Sequence, residues 1–130
     1  MIQLHDKHFV HYLSTDTLQQ ISQRLADQIY HDHFDKSPIF IGVLSGAFLF
    51  LSDLIRNYAG YCHVDFVKFR SYSGTESTGN VSTLLDFPDI EGKDVVIVED
   101  IVDTGRTLQK IIERVEQLGA RSYKVASLFF

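Results

Sequence analysis

Apolar residues recur along the chain with two different periods. Residues up to Leu13 read as an irregular arm with some strand character. Leu18, Ile21, Leu25 and Ile29 then follow one another at three, four and four, the spacing of one helix face. Ser14-Thr15-Asp16 offers an N-cap before them, and the helix is expected to fray at His31-Asp32-His33. Lys36-Ser37-Pro38 is a breaker. Ile39-Phe40-Ile41-Gly42-Val43-Leu44 is a nearly continuous apolar run, the pattern of a strand covered on both faces. Ser45-Gly46-Ala47 reads as a tight turn, and Phe48 to Tyr58 as a second helix that stops near Gly60. His63 to Tyr72 reads as a strand through Val64, Phe66, Val67 and Phe69. The small and polar residues of Ser71 to Asn80, with two glycines, predict a mobile loop. Val81, Thr83, Leu85 and Phe87 alternate as in a strand, and a turn follows at 88–93. Val95-Val96-Ile97-Val98 is the cleanest buried strand. Leu108, Ile111, Ile112, Val115 and Leu118 mark one face of a last helix, with Gly119 as its stop. Tyr123 to Phe130 is a final strand.

The order of elements predicts an α/β domain with a largely parallel sheet flanked by helices. No internal repeat or interdomain linker interrupts 1–130, so a single domain is expected. The last residues, Ala126-Ser127-Leu128-Phe129-Phe130, are apolar where chain ends are usually polar. That predicts either a second chain covering them or a chain that is part of a longer one.

Composition supports a packed core. The chain has 130 residues, of which 45% are hydrophobic and 22% charged, with only two prolines. Surface scaling gives roughly 7,000 Å² exposed when folded against roughly 21,600 Å² extended. Disordered and collagen-like classes are excluded. The net charge of −5 disfavours nucleic-acid binding, which needs a basic surface. No apolar run approaches the length of a membrane span, and the first residues lack the features of a signal peptide. One cysteine, Cys62, excludes an internal disulfide or a multi-cysteine zinc site. A soluble, cytoplasmic protein is expected.

In open parallel sheets, ligands bind beyond the carboxyl ends of the strands. Three segments should meet there: the turn after Leu44, the loop after Arg70 and the acidic turn after Val98. The acidic turn carries Glu99, Asp100 and Asp103, then Thr104-Gly105-Arg106-Thr107 at a helix start. A helix N-terminus offers free N–H groups and a partial positive charge to a phosphate. Gly105 permits close backbone approach, Thr104 and Thr107 supply hydroxyls, and Arg106 adds charge. Three carboxylates beside an anion site must address something else: ribose hydroxyls, a hydrated Mg²⁺ or a proton in transit. The plainer reading, a helix cap at Asp103 or Thr104, explains one acidic residue but not the pair before it.

The segment from Val95 to Leu108, with Glu99-Asp100-Ile101-Val102-Asp103-Thr104-Gly105 at its centre, resembles the phosphoribosyl-diphosphate-binding motif of type I phosphoribosyltransferases, and within them the hypoxanthine–guanine subgroup. Leu44-Ser45-Gly46-Ala47 resembles that subgroup's diphosphate loop. Ser71-Tyr72 with Ser77-Thr78-Gly79 resembles its mobile catalytic loop. The resemblance runs from about Leu4 to Phe130. It implies purine salvage: transfer of 5-phosphoribosyl from phosphoribosyl diphosphate to hypoxanthine or guanine, giving the nucleoside monophosphate and diphosphate. It further implies that Thr104, Gly105, Arg106 and Thr107 hold the 5′-phosphate. Glu99 and Asp100 would meet the ribose hydroxyls and support Mg²⁺, and Asp103 would exchange a proton with the purine. Backbone at Ser45 and Gly46 would bind diphosphate, with a strained peptide at Leu44–Ser45. Ser71 and Tyr72 would close over the site. A homo-oligomer, dimer or tetramer, is implied as well.

Two departures stand out. Many relatives carry Lys and a second Gly where this chain has Ser45 and Ala47. The family also continues past its last strand with a Lys, an aromatic residue and an Asp that serve the purine and Mg²⁺, so 1–130 is expected to lack the C-terminal purine-binding part. That leaves a second reading open, a non-catalytic module or inactive fragment that binds the nucleotide or phosphoribosyl diphosphate.

Other motifs carry less. Gly74 to Gly79 has P-loop glycine spacing, but Asn80 and Val81 stand where Lys and Ser/Thr are required. His5, His8 and His11 lack a fourth ligand and read as surface residues. His31 and His33 read as solvated, and Cys62 as a buried or idle thiol. A receiver-type signalling domain also has an acidic strand end. It carries it after the first strand, however, and leaves Thr104-Gly105-Arg106-Thr107 unexplained.

Overall fold

The computed structural model describes residues 2–4, 7–9, 15–71, 81–101 and 106–129. Two short strands, β1 (Ile2–Leu4) and β2 (Lys7–Phe9), pair antiparallel, so this part of the expected irregular arm is a hairpin. Helix α1 spans Thr15–His33, strand β3 Ile39–Leu44, helix α2 Phe48–Asn57 and strand β4 His63–Ser71. Strands β5 (Val81–Leu85) and β6 (Asp94–Ile101), helix α3 (Arg106–Gln117) and strand β7 (Ser122–Phe129) complete the order. The N-cap expected at Ser14 and the loop segment 72–80 lie outside the described residues.

The main sheet has the order β5-β4-β3-β6-β7. β3 pairs parallel with both β4 and β6, and β6 pairs parallel with β7. Only β5, which returns along β4, is antiparallel. The chain therefore moves from β3 to one side, through α2, and then to the other side at β6. The reversal falls between β3 and β6, and open α/β sheets bind ligands in the crevice at the carboxyl ends of such strands.

Each face of the sheet has its own core. Helices α1 and α2 pack over Phe40, Val96, Val98 and Ala126. Helix α3 packs Ile111 and Val115 over Ile39, Ile41, Val43, Val67, Val95 and Ile97. Alternation in β3 and β6 feeds both layers, which is why Val95 to Val98 is apolar at every position. The expected stripe on α3 is the packed one, with Ile111 and Val115 deepest and Gly119 ending the helix at φ +83°, a conformation suited to glycine.

Helix α1 corrects two expectations. Its deepest residues are Ser22, Ala26, Ile29 and His33, whereas Leu18, Ile21 and Leu25 are only half-buried. The helix packs on α2, and its Ala26 and Ile29 share a buried cluster with Phe40, Val96 and Val98 of the sheet, so its innermost row is not its most apolar one. His33, expected to be solvated, is 2% exposed. The helix does not fray before it, and its Nδ1 lies 2.8 Å from the Ile29 carbonyl, which satisfies a ring nitrogen in the interior. His31 is exposed, as expected.

The amino edge of the sheet, opposite the crevice, is tied by Asp94. Its carboxylate is buried and accepts bonds from Arg121 Nε (3.2 Å), Arg121 Nη2 and Ser122 Oγ (2.6 Å). Gly92 N–H donates to the Gly119 carbonyl at 2.8 Å, and Arg121 N–H to the Lys93 carbonyl at 2.8 Å. Among the described residues no helix is long and apolar enough to cross a membrane.

Candidate functional site

The carboxyl ends of β3 and β6 bring two of the three expected segments together. β3 ends at Leu44, the Leu44–Ser45 peptide is cis, and Ser45 to Ala47 form the turn into α2. This is the peptide that the resemblance singles out. Ala47 caps α2 with no side-chain hydrogen bond. The first turn of α2 therefore presents N–H groups that no side chain satisfies at its cap, at the positive end of the helix dipole.

Next to that turn, β6 ends with Glu99 and Asp100. An ideal Cβ built on Gly46 would lie 2.7 Å from each carboxylate oxygen of Asp100. The turn after β3 thus rests directly on the acidic strand end, although the two are far apart in sequence. Ser127 on the neighbouring strand β7 donates a long hydrogen bond, 3.4 Å, from its Oγ to the Asp100 carbonyl. Neither contact was anticipated from the sequence. The one available sign was a hydroxyl, Ser127, inside the apolar run of β7.

Glu99 is half-buried. Burial, the negative charge of Asp100 and a hydrogen bond to the Asp100 carboxylate push its carboxyl up to about 7. Two carboxyl groups this close cannot both ionise cheaply. The pair is thus poised to take up a proton or to be relieved by a cation. Oxygen-only donors suit a hard cation such as Mg²⁺, which commonly binds through one or two carboxylates and completes its shell with water and substrate oxygens. Among the described residues no group of three or more His, Cys, Asp or Glu is placed to hold a metal ion.

The other expected site residues are reached only in part. Arg106 and Thr107 open the first turn of α3, and Ser71 is the last residue of β4. Tyr72, Asp103, Thr104 and Gly105 lie outside the described residues. Cys62 is half-buried, and burial raises its thiol, which agrees with an idle rather than a reactive group.

Residues 12–130 match the model of the phosphoribosyl transferase domain. The hypoxanthine-guanine phosphoribosyltransferase of Streptococcus pyogenes is 38% identical over 120 residues, covering 91% of this chain and 66% of the relative. The chain thus spans slightly less than two thirds of the length of that relative. Among solved structures, a hypoxanthine-guanine phosphoribosyltransferase from Bacillus anthracis superposes with a TM-score of 0.86 at 35% identity, covering 94% of this chain and 73% of that one. A hypoxanthine phosphoribosyltransferase from Staphylococcus aureus gives 0.85 at 37% identity, with 90% and 65% coverage. With the β3 turn, the acidic end of β6 and the start of α3 at one edge of the sheet, these likenesses show that the chain belongs to the phosphoribosyltransferase family, in its hypoxanthine–guanine branch.

Proposed function

We propose that residues 1–130 form a single domain whose crevice binds phosphoribosyl diphosphate and transfers its phosphoribosyl group to a 6-oxopurine, hypoxanthine or guanine. The observation that carries this reading is the contact between the Gly46 turn and Asp100 at the switch point of the sheet. An anion-binding turn and a ribose-facing carboxylate side by side match two adjoining groups of one substrate, the diphosphate and the ribose that carries it.

Backbone at Ser45 and Gly46, with the uncapped start of α2, binds the diphosphate. Glu99 and Asp100 accept hydrogen bonds from the ribose 2′ and 3′ hydroxyls and hold Mg²⁺. When bound, the cation neutralises charge on the diphosphate leaving group. Thr104, Gly105, Arg106 and Thr107 receive the 5′-phosphate at the start of α3. Purine N9 attacks C1′, the C1′–oxygen bond breaks, and diphosphate departs with the bonding pair. Asp103 takes the proton that the purine loses at N7. Positive charge grows on the ribose in the transition state, and the carboxylates beside it stabilise that charge. Ser71 and Tyr72 close over the site and exclude water that would hydrolyse the donor.

A cytoplasmic homo-oligomer completes the reading. Phe48 and Leu49 at the start of α2 are 54% and 74% exposed, and the Phe48 ring lies tilted beside Phe66 of β4, 6.5 Å between centroids. This apolar surface supports self-association. Incubation with hypoxanthine, phosphoribosyl diphosphate and Mg²⁺ tests the reading: inosine monophosphate should form, and Asp103→Asn should slow it. Binding of phosphoribosyl diphosphate without product would favour a non-catalytic module.

A further inference from the structure

Gly46 invites a question that its backbone does not answer. Among the described residues the positive-φ glycines are Gly92 and Gly119, so Gly46 is not glycine for the sake of a left-handed turn. The reason is space. A Cβ at this position would lie 2.7 Å from Asp100 Oδ1, 2.7 Å from Oδ2 and 2.9 Å from Cγ, all well inside van der Waals contact. Asp100 is also held from other directions, through its backbone and through its carboxylate. Asp100 is the penultimate residue of β6, its carbonyl accepts the Ser127 hydroxyl, and its carboxylate is hydrogen-bonded to Glu99. A side chain at 46 can be accommodated only by moving that carboxylate or lifting the turn off it.

We infer that Gly46 is a positioning residue, whose missing side chain seats the turn after β3 on the Asp100 carboxylate and so fixes the spacing between diphosphate-binding backbone and ribose-binding carboxylate. The inference rests on the functional reading above and deepens it. The diphosphate and the ribose of phosphoribosyl diphosphate are recognised by segments from different strands, and Gly46 sets the distance between those segments. Position 46 thus acts through Asp100 as well as through its own N–H.

A double-mutant cycle tests this in two measurements on the whole chain. The variants are Gly46→Ala, Asp100→Ala and the pair. Calorimetric titration with phosphoribosyl diphosphate and Mg²⁺ should give binding about tenfold weaker for Gly46→Ala, within the range of couplings between touching residues. The pair should bind within about twofold of Asp100→Ala alone, because removing the carboxylate removes what the new methyl strikes. Losses that multiply, or a Gly46→Ala variant that binds like the parent, would overturn the inference. Urea unfolding of the same four proteins needs no ligand. Gly46→Ala should lower the midpoint when Asp100 is present and leave it unchanged in the Asp100→Ala background. Equal lowering in both backgrounds would overturn the contact itself. A parent that fails to bind phosphoribosyl diphosphate would overturn the functional reading, while the unfolding cycle would still decide the contact.

Discussion

Replacing Glu99 with Gln should stabilise the free protein, and only above a definite pH. The carboxyl of Glu99 rises from its ordinary 4.5 to about 7 because it is half-buried beside Asp100. Between those two values the folded protein keeps a proton that the unfolded chain has lost. The unfolding free energy therefore falls as pH rises through that window, and the cost is complete above about 7. At about 1.36 kcal/mol for each pH unit, the full difference would be about 3 kcal/mol. Solvent reaches part of the group and screens it, which lowers the expectation to on the order of 1–2 kcal/mol. Glutamine keeps the shape and the hydrogen-bonding capacity without the charge. Urea unfolding at pH 8 should thus show Glu99→Gln more stable than the parent by that amount, with the gap closing by pH 4.5. A gap of the same size at both pH values, or a variant less stable at pH 8, would refute the charge argument.

Three further outcomes follow from the same structure. Asp94 is 3% exposed at its side chain, and its bonds to Arg121 and Ser122 hold its carboxyl down at about 2 from an ordinary 3.8. It should contribute about 2 kcal/mol at neutral pH, lost as pH falls from 3.8 to 2, and Asp94→Asn should remove most of that acid-sensitive component in a pH series of unfolding curves. Gly42 lies under α2, where a Cβ would sit 2.7 Å from Leu51 Cδ2 and 3.1 Å from the Phe66 ring. Gly42→Ala should overpack this layer and cost about 1–3 kcal/mol in urea unfolding. Phe48→Glu should shift any oligomer toward monomer in sedimentation without unfolding the chain, because the ring is largely exposed.

Much of the fold was legible because burial and period agree. Val95 to Val98 is continuous in sequence because strands lie on both sides of β6 and helices on both faces. The α3 stripe is equally plain, since that helix buries one face against one layer. Helix α1 was harder. It touches both α2 and the sheet, so its deepest row contains Ser22 and His33, and apolar counting overlooks such residues. A histidine at a helix end reads as solvated unless one knows that a carbonyl will satisfy its ring.

The site divides in the same way. The acidic pair Glu99-Asp100 and the turn at Ser45-Gly46 were readable from residue type and from their positions after strands. Their contact was not, because it depends on β6 lying beside β3 rather than beside β5, which sequence order does not state. The raised Glu99 carboxyl follows from that packing and was equally hidden. Ser127 is an intermediate case, a polar residue in an apolar strand whose purpose appears only when β7 is laid against β6.

The most direct measurement is calorimetric titration of the chain with phosphoribosyl diphosphate in the presence of Mg²⁺, repeated with Asp100→Ala. Saturable, Mg²⁺-dependent binding to the parent, weakened at least tenfold in the variant, is the expected result. No binding to the parent, or equal binding to both proteins, would contradict the assignment of the crevice between β3 and β6 to this substrate.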